Sequence, residues 1–118
     1  MFGMIKKLAT NHFNKYSGNK DFIEAVAAAS ALVAAADGKV EDDEVLAAID
    51  AAKANPKLGA AYRQSEIEDA MNTMLGRVKT PSGRALLKRE LEDVAKKDIN
   101  MREDVYLAAL DVAHSDGS

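Results

Sequence analysis

The stretch ADGKVEDDE, residues 36–44, gathers carboxylates at Asp37, Glu41, Asp42, Asp43 and Glu44. Hard divalent cations take oxygen ligands, and a helix–loop–helix calcium loop supplies them at fixed intervals around an invariant glycine. With Gly38 set on that glycine, Asp37 falls on the acid before it, Val40 on the buried apolar position and Glu44 on the closing bidentate glutamate. The first and third ligand positions become Val33 and Ala35, which offer no side-chain oxygen. Ca²⁺ takes about six to eight oxygens, so this is half a loop. Backbone carbonyls, Glu41 or Asp43, water, or a second acidic link would have to complete it. The same residues also read simply as a helix stop and a helix start. Asp-Gly suits a helix end, and each acid in a first turn gains roughly 0.3–1 kcal/mol from the helix dipole when exposed.

A second link exists. SALVAAADG (30–38) and ALDVAHSDG (109–117) match in pattern, with Val33 over Val112, Ala34 over Ala113 and Asp37 over Asp116. Both are apolar helical runs ending in Asp-Gly, which predicts two halves related by pseudo-two-fold symmetry with their acidic links near one another.

The elements that must hold these links all read as helices. A leader over 1–16 has Phe2, Ile5, Leu8 and Phe13 near helical spacing, with Lys6, Lys7 and Asn11 elsewhere on the wheel. After the break at YSGNK, a helix over about 21–37 carries Phe22, Val26, Ala29 and Val33 on one stripe. The next starts near Glu41 with Val45, Leu46, Ile49 and Ala52, and ANPKLG ends it. SEIE (65–68) has the form of a capping box before Ile67, Met71, Met74, Leu75 and Val78. TPSG (80–83) puts Thr80 at a cap and Pro81 at the first helical position, ahead of Leu87, Leu91 and Val94. NMRE (100–103) is a further cap signal before the last helix. No stretch alternates with period two. We expect an all-α, compact single-domain bundle of about six or seven helices spanning 1–118, with residues 1–16 as a basic amphipathic leader.

The totals agree. At 118 residues, 47% hydrophobic and 30% charged, the chain suits one globular domain. Aromatics are 5% and Trp is absent, so the core must be built from aliphatics, Met and Ala. The absence of Cys excludes disulfides, thiolate metal sites and a cysteine nucleophile. No apolar run approaches the roughly 20 residues that span a bilayer, and the leader lacks a signal peptide's apolar core and cleavage site. A soluble cytoplasmic protein is expected. The whole chain carries −3, and four uncompensated lysines within residues 1–20 leave −7 on the rest. That balance argues against nucleic acid as a partner and favours cations on the body and an anionic surface at the leader.

The Ala-rich helix, ADGKVEDDE and the second SDG together resemble the TerB-type tellurite-resistance proteins, whose domain also occurs in a DnaJ-like membrane co-chaperone. The resemblance covers most of the chain. It implies a helical stress-response module with an acidic surface on the two Asp-Gly links that holds a divalent cation, Ca²⁺ or Mg²⁺ ahead of Zn²⁺. Carried over residue by residue, the ligands are Asp37, Glu44 and Asp116, with Glu41 beside them. Two departures stand out. The family places a small hydroxyl residue where Glu41 stands, and it continues past the second Asp-Gly into another acidic helix start, whereas only Ser118 follows Gly117 here. Without a thiol, nothing in the sequence can reduce or ligate tellurium, so a role in resistance would be indirect.

Other chemistry finds little footing. His12 sits among Asn11, Phe13 and Asn14, and His114 stands close enough to Asp116 for a zinc site with Asp37 to be considered. No serine has a nucleophile-elbow context and GRVKTPSG lacks a phosphate-loop ending, so no enzyme is expected. Met71 and Met74 fit a core stripe better than an adaptable groove. A protein partner is expected, with oligomeric state open. The alternative is a structural or adaptor domain that binds protein or a membrane surface through the leader, peripheral at the inner face of the membrane, with no metal. A single short helix with few lysines binds lipid weakly, so Phe2, Ile5 and Leu8 are expected to pack onto their own domain.

Overall fold

The computed structural model describes residues 16–36 and 41–114. Within them the chain forms α1 (Lys20–Ala36), α2 (Asp42–Ala54), α3 (Pro56–Ala61), α4 (Gln64–Arg77), α5 (Pro81–Lys97) and α6 (Ile99–His114), and no strand. Residues 1–15 of the expected leader lie outside the described part.

The helix α1 is the centre of the bundle because its sequence is small and apolar almost all round. Phe22, Ile23, Ala25, Val26, Ala27, Ala28, Ser30 and Ala31 are all buried, as expected for a helix enclosed by neighbours. It packs against α4, α5 and α6, and its alanines leave room for three helix axes to come close. The buried Ser30 hydroxyl donates to the Val26 carbonyl at 2.8 Å, so no polar group is left unsatisfied there. The α4 stripe predicted at Ile67, Met71, Met74, Leu75 and Val78 is buried throughout, which makes both methionines core. Leu87 is fully buried from α5, while Leu91 and Val94 pack against the core from a half-buried position. The Cα radius of gyration is 13.8 Å, against about 13.5 Å for a single domain of this length.

Turn chemistry sets the helix ends. Gly18, at φ 81°, supplies the left-handed residue before α1. The Asn55 side chain accepts from the backbone N–H groups of Lys57 (2.9 Å) and Leu58 (3.1 Å), so the interruption at ANPKLG is itself the capped start of α3. Thr80 caps α5 by accepting from the Gly83 N–H at 3.0 Å, with Pro81 in the first turn.

Two predicted caps move. The helix opened by SEIE starts earlier, at Gln64. Arg63 holds the cap position and its backbone N–H donates to Glu66 Oε1 at 3.1 Å. Arginine has no side-chain acceptor, so only the carboxylate half of the box forms. The last helix starts at Ile99 rather than after Asn100, because Asp98 accepts from the Met101 N–H at 3.1 Å.

Two stripe residues face water instead of the core. Val33 lies near the C-terminal end of α1 and is 43% exposed, and Leu46 is 61% exposed. In α2 full burial begins at Ile49, Ala51 and Ala52, while Val45 and Ala48 pack half-buried against the core. Leu46 lies off that stripe on the outward side, and the acids at 41–44 stand in solvent.

Candidate functional site

The acids after Asp37 sit on a well-defined helix start. Glu41 is the N-cap of α2 in extended conformation, and Asp42, Asp43 and Glu44 form its acidic first turn. Glu41 caps through its backbone, accepting from the Val45 N–H at 2.9 Å, and its side chain makes no capping hydrogen bond. Its carboxylate is therefore not committed to the helix end. All four acids are exposed, and their charges stand at the positive pole of the α2 dipole.

The two echoing helices, α1 and α6, pack against each other. Ala25 and Ala28 of α1 share one groove with Met101 of α6, and Ala29 lines a second with Val105. The α2 start lies close to the end of α1, because only residues 37–40 separate α1 from the N-cap Glu41.

Of the four predicted ligands, Glu41 and Glu44 are thus described and Asp37 and Asp116 lie outside the described residues, as does the His114 side chain. Among the described residues no group of three or more acidic or histidine side chains is arranged to hold a metal ion. No described helix is long and apolar enough to cross a membrane.

A polar cluster that the sequence reading missed lies near the start of α1. The buried Tyr16 hydroxyl donates to Oδ2 of the buried Asp104 at 2.5 Å. The Tyr16 ring stacks on Phe22 with centroids 4.0 Å apart, and the Tyr62 ring lies nearly parallel to that of Phe22 at 6.4 Å. The Tyr62 hydroxyl proton is shared between the carbonyls of Tyr16 (2.8 Å) and Asn19 (2.7 Å). Burial, followed by the hydrogen bond to Asp104 and then by its charge, holds the Tyr16 hydroxyl well above the ordinary tyrosine range. Burial does the same for Tyr62. This cluster fastens the start of α1 to α6 and to the α3–α4 link. A signal for it is present in the sequence: Asp104 lies on the inward stripe Met101, Asp104, Val105, Ala108 and Val112, where an acid needs a buried partner.

No family model matches the chain, and neither a curated protein nor a solved structure matches it.

Proposed function

We propose that this chain is a non-enzymatic, TerB-like stress-response module of the cytoplasm. In this reading Asp37, Glu41, Glu44 and Asp116 bind one divalent cation, Ca²⁺ or Mg²⁺, and present a partner-binding surface. The observation that supports it is the packing against each other of α1 and α6, the two helices that lead into the Asp-Gly links. The uncommitted carboxylate of Glu41 and the exposed Glu44 stand at the start of α2, just after the first of those links. A bound dication offsets two of the negative charges gathered there, eases their mutual repulsion, fixes the angle between α1 and α2, and changes the charge a protein partner meets.

Titrating Ca²⁺, Mg²⁺ and Zn²⁺ into metal-free protein by calorimetry tests this. The expected result is a saturable heat with Ca²⁺ or Mg²⁺ at one ion per chain, lost in Asp37→Asn and in Glu44→Gln. No heat with any of the three ions would reduce the acids to helix caps and overturn the proposal.

A further inference from the structure

We propose that the apolar groove between α5 and α6 is the contact between two copies of this chain, related by a two-fold axis that runs along the groove. Leu91, Val94 and Ala95 line it from α5, Val105 and Tyr106 from α6, and Ala29 from α1. Among the described residues its charged lining is one acid and one base, Glu92 on the α5 side and Arg102 on the α6 side.

The helix α6 is apolar on two sides. Met101, Val105, Ala108 and Val112 turn to the core of their own domain. On the outward side Ile99, Tyr106 and Leu107 are each more than half exposed. Tyr106 and Arg102 join the groove to a second hollow that Glu103 and Leu107 also line, so the exposed surface is continuous across this side of the helix. A surface helix of a free-standing domain carries one apolar stripe, and a second, exposed one marks a further contact. Tyr and Arg are also the side chains enriched in such contacts.

Charge decides the occupant. A two-fold contact sets one patch against itself, so the patch must be self-complementary. With the axis along the groove, the α6 side of each copy lies over the α5 side of the other. Arg102 of one copy then meets Glu92 of the second, and the same pair recurs across the axis. Tyr106 of each copy is set over Val94 and Ala95 of the other. Neither Arg102 nor Glu92 forms an ion pair within the described residues of its own chain, so both can serve this contact. The groove between α1 and α5 fails the same test. Asp21, Glu24, Glu90 and Asp93 line it with one Lys97, and a second copy would set acid on acid.

Sedimentation equilibrium of the full chain from about 1 µM to about 1 mM covers the range in which a small interface associates. The mass should rise from that of one chain towards that of two. Arg102→Glu sets two acids together on each side of the axis, and Glu92→Arg sets two bases together. Each variant alone should associate roughly tenfold or more weakly, with both unlike pairs replaced by like ones. Mixed in equal amounts, the two variants should recover the dimer, since every charge contact across the axis is then acid on base. Tyr106→Glu should also leave a monomer. Glu92, Arg102 and Tyr106 are all exposed, so every variant should melt within about a degree or two of the parent chain. A parent chain that stays monomeric throughout would overturn the proposal and leave the groove to a different protein. Variants that dimerise as the parent does would overturn it by placing the dimer on another face, and a mixture that stays monomeric would overturn it by breaking the Arg102–Glu92 pairing.

Discussion

At the scale of single residues, the described structure turns on where polar atoms are buried. Asp104 sits in the interior with the Tyr16 hydroxyl donating to it, and this bond joins positions 88 apart in sequence. Tyr16→Phe takes a donor away from a buried carboxylate and should cost about 1–3 kcal/mol in urea denaturation. The pH dependence has a definite sign. Both Tyr16 and Tyr62 are held protonated in the fold beyond the ordinary tyrosine value of 10.0. Their contribution is therefore complete below that value and is lost as pH rises through and above it. Melting curves recorded from pH 8 to 12 should fall steeply past 10, and Tyr16→Phe should flatten that fall. An equal slope in the variant would show that alkaline unfolding arises elsewhere.

At the scale of elements, cap chemistry was legible where a single side chain decides it, and illegible where two positions compete. Thr80-Pro81 and the break at Asn55-Pro56 sit where their residues dictate. Ser65 loses the cap because a carboxylate at Glu66 can serve the N–H of Arg63 and start the helix earlier. Asn100 loses to Asp98 in the same way. The stripes followed the same logic. That of α4 is buried throughout, whereas in α2 Val45, Ala48, Ile49 and Ala52 turn to the core and leave Leu46 on the outward side. Periodicity identifies a helix face but not how far the neighbours extend along it.

One close approach gives a sharp test at this scale. Gly83 is buried in the first turn of α5, and a Cβ there would run into the Arg77 carbonyl at the end of α4. Gly83→Ala should therefore destabilise by about 1–3 kcal/mol, although the same change in an open helix would stabilise. Gly76 has open space around it, so Gly76→Ala, in α4, is the control and should raise the melting temperature.

At the scale of the whole molecule, the all-α single-domain fold was legible in composition and period. The burial of Tyr16 and Asp104 was not, because it depends on contacts between the start of α1 and a helix far along the chain. The candidate site was legible as residues, whereas the packing of α1 against α6 is a long-range contact that no local pattern encodes. Surface ion pairs such as Lys53–Glu68 at 3.3 Å and Lys57–Asp111 at 3.4 Å tie the α2–α4 region and α3–α6 together, each worth about 0–1 kcal/mol. They hold the arrangement less firmly than the apolar core does.

The central claim, that the two helix ends form one cation site, is tested most directly by a thermal-melt cycle on the parent chain, Asp37→Asn, Asp116→Asn and the double variant, each with and without Ca²⁺. At 100 times its dissociation constant a single bound ion adds about 2.7 kcal/mol, a rise on the order of 10 °C for a domain of this size. The account predicts that rise in the parent chain, a much smaller rise in either single variant, and no further loss in the double variant, because both carboxylates serve the same ion. Equal Ca²⁺-induced shifts in all four proteins, or losses that add as if from two independent sites, would contradict it.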